Sequence, residues 1–267
     1  MYLQKLPENT RAVLFDKTRC WLIRNTKNVG RIDELYWTVR GSERMFLNFI
    51  VGALNPWAQL LSSACQTMNV RLVDRDAFLG AGATGRVFKV KLEDDEFAAL
   101  KIVPQHISLL QTESSALASA SETGVVATVI KPFKEIDNGS GAAIVISPVG
   151  EPVVQSNLTE DCVLKIAKSL FKLHSNGFQH GDPRLANIIL HEGQYLWIDF
   201  MACVSDSDFA WTRDACILAR SILNLSVETD IPEEIYERIR DYATNKNEYS
   251  CEQFAANLWR IIRPEGV

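Results

Sequence analysis

The stretch HGDPRLANIIL, residues 180–190, decides how this chain is read. It sets Asp182 five positions before Asn187 and runs directly into an apolar segment. Twelve positions past Asn187, at the end of the apolar run LWIDF, stands Asp199, followed by Phe200. Two carboxylates and an amide supply the kind of oxygen donors that phosphoryl transfer needs. A transferring phosphoryl group spreads negative charge over its oxygens, so catalysis is mostly positioning and neutralisation by Mg²⁺, a hard cation that prefers carboxylate and amide oxygens. Asn187 and Asp199 supply such oxygens. The plainer alternative is an Asx-rich turn, with Asp182 and Asn187 bonding backbone amides of their own loop.

Upstream, LGAGATGRVFKV over residues 79–90 carries Gly80, Gly82 and Gly85 in G-x-G-x-x-G-x-V register, with Val87 at the last position. Glycine there lets the backbone approach phosphates with no Cβ in the way. A dinucleotide-binding fingerprint would continue into a helix. This chain continues into VFKVKL, a charged turn from Glu93 to Glu96, and FAALKIV, which read as two strands of a hairpin. The hairpin delivers Lys101 towards the glycines; on its own, a lysine at a strand end is more often a solvated cation.

SLLQTESSALASA, residues 108–120, reads as an amphipathic helix with Leu109, Leu110, Leu117 and Ala120 facing a core, and Glu113 within it. VVATVIKPF and GAAIVISPVG read as strands. LTEDCVLKIAKSLFKLHSNG reads as a helix capped by Thr159, with Glu160 and Asp161 in its first turn and Val163, Ile166, Ala167, Leu170 and Leu173 on one face. Gly177 ends it, and His174 caps or packs that end. A second helix is expected from about Arg213 to Asn224, with Asp214 near its start. In the first seventy residues, RAVLFDK, CWLIRN and ELYWTVR read as short strands joined by turns containing Asn25, Asn28 and Gly30. One core helix over MFLNFIVGALNPWAQLL follows. This region either forms a docking module or packs on and enlarges its neighbour, which would make Tyr36, Trp37 and Trp57 core residues.

With these elements in this order, residues from about Asp76 to Asn224 resemble the protein-kinase-like superfamily. The resemblance implies an α+β fold of two lobes, a small antiparallel β lobe (71–146) and a helical lobe (152–267), joined by a hinge at 147–151. Residues 1–70 would be an N-terminal β/α extension. ATP and Mg²⁺ would bind in the cleft. Gly80, Gly82, Gly85 and Val87 would cover the phosphates, Ala99 would lie beside the adenine, and hinge backbone would bond its edge. Lys101 would pair with the phosphates, fixed by Glu113 or, alternatively, Glu122. Asp182 would be the base, assisted by Arg184, with Asn187 and Asp199 on the metal. Asp214 would cap its helix or brace the catalytic loop. More narrowly, FLGAGATGRVFKV, SPVGEP and HGDPRLANIIL are similar to the kinase-type C-terminal domains of Crinkler (CRN) effectors of oomycetes and fungi. That likeness implies action inside another organism's cells, often in the nucleus.

Departures from the kinase pattern shape the expected substrate. Gly181 stands where many kinases carry an arginine that answers an activation-loop phosphate, so activity is expected to be constitutive. Met201 replaces the glycine after Asp199-Phe200, and Asp214 follows Asp199 by only fifteen positions with no A-P-E between them. The shortening is shared with small-molecule kinases resembling aminoglycoside and choline phosphotransferases. Arg184, two positions after Asp182, favours a protein Ser/Thr acceptor. A pseudokinase that binds nucleotide and serves as an interaction module is the remaining alternative.

Composition fits a globular intracellular protein, cytoplasmic or nuclear, or in a host cell if an effector. The 267 residues are 47% hydrophobic and 23% charged, enough for a sizeable core. A net charge of −5 disfavours stable nucleic-acid binding. The charge is uneven: residues 1–48 hold nine Lys and Arg against five Asp and Glu. The six cysteines form no C-x-x-C pair and read as reduced thiols. The chain opens with no basic start before an apolar run, and no stretch is apolar enough for a membrane span.

Overall fold

The computed structural model describes residues 11–26, 29–52, 56–82, 84–136, 139–200, 203–204 and 207–263. The chain divides into two compact units, one ending at Leu61 and one running from Ser62. In the first, β1 (Arg11–Phe15), β2 (Arg19–Thr26) and β3 (Val29–Tyr36) form an antiparallel sheet in that order, followed by α1 (Ser42–Gly52). Cys20, Leu22, Leu35 and Phe49 make its core. Alternation along β3 buries Leu35 and turns Tyr36 outward, so Tyr36 is 45% exposed and not a core residue. Trp37, 38% exposed, also lies outside the core; it meets Phe46 edge-on at 5.5 Å and donates Nε1–H to Asp16 O at 3.2 Å. Trp57 is half-buried. Asn25 and Gly30 pair across β2 and β3 and are not turn residues, while Asn28 lies outside the described residues.

The single helix expected after these strands is two. α1 ends at Gly52 and α2 (Pro56–Met68) begins at Pro56, because proline suits a helix's first turn but not its interior. α2 crosses the division between the two units.

The second unit opens with β4 (Arg71–Leu72), β5 (Phe78–Ala81), β6 (Arg86–Lys91), β7 (Phe97–Val103), α3 (Ile107–Ala120), β8 (Thr128–Ile136) and β9 (Gly141–Ser147). The strands form one antiparallel sheet in the order β4-β6-β7-β9-β8, with β5 also on β6. β9 lies between β7 and β8 and is buried from Gly141 to Ile146. α3 turns Leu110, Glu113, Ser114, Leu117 and Ala120 inward. Leu109, one position before Leu110 and so about 100° round the helix, is exposed, against expectation. The β8–β9 register shifts between Lys131 and Lys134, and the Phe133 N–H there donates to Ser114 Oγ at 3.1 Å, tying α3 to the sheet.

The rest is mostly helical: β10 (Glu151–Pro152), α4 (Glu160–Ser175), β11 (Phe178–Gln179), β12 (Ile188–His191), β13 (Gln194–Trp197), β14 (Cys203–Val204), α5 (Asp208–Leu223), α6 (Glu233–Asn245) and α7 (Glu248–Ile262). Thr159 caps α4, accepting from Cys162 N at 3.2 Å, and the expected apolar face is buried. Gly177, at φ +80°, follows α4 where a left-handed residue turns the chain. α5 starts earlier than expected, capped by Ser207 accepting from Ala210 N at 3.2 Å, so Asp214 lies inside the helix and is not its cap. β12 and β13 are joined by a two-residue turn, Glu192 and Gly193, at φ +47° and +79°. The two parts of this unit are stitched by the Ala127 N–H to Trp197 O and Trp197 N–H to Val125 O bonds, both 2.9 Å. The second unit is therefore α+β, a part built on the antiparallel sheet followed by a mostly helical part. Cys20, Cys65, Cys162, Cys216 and Cys251 are free thiols. Among the described residues no helix is long and apolar enough to cross a membrane.

Candidate active site

Pairing of β7 with β6 and β9 sets Lys101 opposite Val87 and Ile144, and the inward face of α3 carries Glu113 towards it. Lys101 Nζ lies 2.8 and 2.7 Å from the two Glu113 carboxylate oxygens and 2.7 Å from Asp199 Oδ1. Burial alone would lower the lysine pKa, but the carboxylates of Glu113 and Asp199 outweigh it and hold the ammonium charged. Burial pushes the Glu113 pKa up, opposed by Lys101. Glu122, the alternative partner, lies beyond α3 in the turn Ser121–Thr123.

The loop between β11 and β12 holds Asp182, Arg184 and Asn187. Arg184 donates to Asp182 Oδ2 from Nε at 3.0 Å and from Nη2 at 2.5 Å. Asn187 Nδ2 donates to Asp182 O at 2.8 Å and to Oδ2 at 3.1 Å. One carboxylate oxygen of Asp182 is therefore committed to the loop, and the other carries no protein hydrogen bond among the described residues. The Ile198 N–H donates to Asn187 O at 2.9 Å, extending the β12–β13 ladder so that Asn187 and Asp199 emerge at the same end of that hairpin. Asp199 has φ +57°, a left-handed backbone that a non-glycine residue seldom adopts.

Behind the loop, the fully buried Asp214 accepts from His180 N at 2.7 Å and from Gly181 N at 3.2 and 3.3 Å. Of the two roles expected for it, the brace is the one it takes. Gly181 sits at φ +88°, so a side chain in the arginine's place would be strained there. His180 is buried against Trp197 and Phe200, and burial lowers its pKa to about 4. A neutral ring fits its contacts: Nε2 faces Ile198 O at 3.2 Å and donates, while Nδ1 accepts from Asp182 N at 3.2 Å.

The glycine hairpin separates its glycines by role. A Cβ on Gly85 would lie 2.5 Å from Ile102 O and 2.9 Å from Val103 Cγ1, so packing against β7 demands glycine. Gly80 and Gly82 have nothing within 4 Å of a Cβ, so this packing makes no such demand on them. Ala99 is buried opposite Ile146. Between β9 and β10, a Cβ on Gly150 would lie 2.8 Å from Leu190 O.

The donor set suits Mg²⁺ held jointly with phosphates. Mg²⁺ commonly takes one or two carboxylates and fills its octahedron from water and substrate. Asp199 and Asn187 offer one carboxylate and one amide oxygen, and no group of three His, Cys, Asp or Glu converges among the described residues. Met201, noted as a departure, lies outside them.

From the sequence His174 caps or packs the end of α4, and Tyr242 carries no signal. His174 is indeed buried, but it also bonds Asp214 Oδ2 through Nε2 at 3.2 Å and Tyr242 Oη through Nδ1 at 2.8 Å. No local pattern pairs residues 68 positions apart; only the polarity of two residues on apolar helix faces hinted at it.

No protein-family model and no curated protein matches the chain. Among the solved structures that align with it are two forms of one kinase domain. A mutant form of the Mycobacterium tuberculosis PknI kinase domain shares 17% sequence identity at a TM-score of 0.48, over 71% of this chain and 94% of that one. The M. tuberculosis PknI kinase domain shares 18% identity at 0.45, over the same fractions.

Proposed function

We propose that this chain is an ATP- and Mg²⁺-dependent phosphotransferase with a hydroxyl acceptor, built on a small lobe at 71–146, a hinge at 147–151 and a helical lobe at 152–267. The observation that carries the reading is the convergence of Lys101, Glu113 and Asp199 on one ion cluster that spans both lobes. Lys101, held by Glu113, orients phosphate oxygens under the hairpin of Gly80, Gly82 and Gly85, with Val87 and Ala99 against the base. Asp182 receives the acceptor's proton on the oxygen that Arg184 and Asn187 leave open. Mg²⁺, bound to Asp199 and Asn187 together with the phosphates, would neutralise the charge that develops during transfer. Arg184 places a second cation at the acceptor side.

The acceptor we favour is a protein Ser or Thr, because Arg184 stands beside the base. A small hydroxylated acceptor is the second reading, and one observation favours it: only residues 200–207 separate Asp199 from α5, little chain for a peptide-docking platform. The test is Mg²⁺-dependent transfer of γ-³²P from ATP to the protein itself, to generic protein substrates and to small alcohols. Asp182→Ala should lower transfer by about 10²–10⁴-fold. ATP binding without transfer to any acceptor would leave a pseudokinase, and absence of ATP binding would sink the proposal.

A further inference from the structure

Asp214 holds the backbone of the loop that bears Asp182, and His174 and Tyr242 stand behind it in a line leading away from the site. A carboxylate can only accept, so His174 Nε2 carries the hydrogen that faces Asp214. With Nε2–H on Asp214, a ring that carries one hydrogen offers Nδ1 as an acceptor, and the Tyr242 hydroxyl donates to it. Burial raises the Tyr242 pKa far above its ordinary value, so the hydroxyl keeps its proton. Trp211, Phe171 and Phe254 hold the Tyr242 ring, with centroids at 5.3, 6.3 and 5.6 Å.

We infer that Tyr242 is a positioning residue for phosphoryl transfer: its hydroxyl holds the His174 ring in the orientation that keeps Nε2 on Asp214, and Asp214 in turn sets the backbone that carries Asp182. The inference rests on the phosphotransferase reading of the site. Each link is direct. Tyr242 Oη–H meets His174 Nδ1 at 2.8 Å, Nε2–H meets Asp214 Oδ2 at 3.2 Å, and the same Oδ2 accepts the His180 N–H at 2.7 Å, two residues before Asp182. A ring turned away from that contact takes its hydrogen off Oδ2, and the oxygen that orders the loop loses a donor. Asp214 is fully buried, so water does not supply the replacement.

Tyr242→Phe keeps the ring and deletes only the hydroxyl; Phe254→Leu disturbs the same aromatic cluster and keeps the hydroxyl. Imidazole ¹⁵N NMR of the full chain should show the His174 Nε2–H held on Asp214 in the wild type and in Phe254→Leu, and that hydrogen exchanging faster in Tyr242→Phe. Amide exchange at residues 179–182 should quicken in Tyr242→Phe alone. kcat should fall roughly tenfold with KM for ATP unchanged, the pattern of a misplaced catalytic group. Unchanged exchange of the His174 Nε2–H in Tyr242→Phe, or an equal loss of kcat in Phe254→Leu, overturns the inference. If the wild type transfers no phosphate, the phosphotransferase reading fails, while the imidazole and amide exchange still decide whether Tyr242 governs the loop.

Discussion

Replacing Lys101 with Met deletes a cation while keeping an unbranched stem of similar length. Its two carboxylate partners respond differently, because the Glu113 side chain is 7% exposed and that of Asp199 is 49% exposed. Asp199 recovers hydration; Glu113 does not. Stranding one member of a buried ion pair costs about 3–5 kcal/mol, and the partial solvent access at Lys101 puts this case near 3 kcal/mol. Glu113 can limit the loss by taking up a proton. Burial already raises its pKa, and removing Lys101 takes away what opposes that rise. A carboxyl with a raised folded pKa favours the folded state below its unfolded pKa and loses that advantage as pH climbs through the folded value. The deficit of Lys101→Met relative to wild type should therefore be smallest near about pH 5 and largest near about pH 8. Lys101→Met/Glu113→Gln should recover most of it, since an amide of the same shape needs no counter-ion. Urea denaturation of wild type, both single variants and the double variant at each pH gives the cycle. A Lys101→Met protein as stable as wild type at the higher pH, or a deficit that does not shrink at the lower one, would refute the reasoning.

Gly85→Ala should destabilise the fold by about 1–3 kcal/mol, because its Cβ would press on the Ile102 carbonyl at 2.5 Å. Gly82→Ala, in open space, should stay within about 0.5 kcal/mol of wild type yet weaken nucleotide binding; thermal melts with and without ATP separate the two. His180 binds a proton more readily unfolded, near pH 6.5, than folded, near about 4, so its contribution is complete above the first value and lost as pH falls through the second. That window carries about 3 kcal/mol, and a His180→Gln variant should show a flatter stability profile across it in urea titrations.

Features written in local periodicity could be read from the chain itself. The face of α4 from Val163 to Leu173, the glycine hairpin and the strand bearing Lys101 follow from 3.6- and 2-residue repeats and from turn chemistry. The start of α5 was misread because the run SDSDFAWTRD offers several capping side chains, and choosing Ser207 needs the hydrogen bond to Ala210. Leu109 lies outside the core that its helix pattern suggests, and Tyr36 and Trp37, core residues only if the first seventy residues enlarge their neighbour, are exposed, since an apolar side chain does not say how many faces of its element are covered. Within the site, the choice of Glu113 over Glu122 and the bracing position of Asp214 depend on approaches between separate elements. The His174–Tyr242 contact is of the same kind, joining α4 to α6 through atoms whose partners are invisible along the chain.

The turn of Glu192 and Gly193 carries a consequence for how this site tolerates change. Both residues have positive φ, as the tightest hairpin turns require, and they fix which residue of β12 faces which residue of β13. Asn187 and Asp199 sit just outside the paired ends of those strands, so their spacing is dictated by a loop at the far tip of the hairpin. Lengthening that tip by one residue and slipping the pairing would exchange the two faces of β13, a fault in the ruler rather than in what it measures. A single insertion four strand residues away would therefore shift Asp199 against Asn187 without touching either side chain.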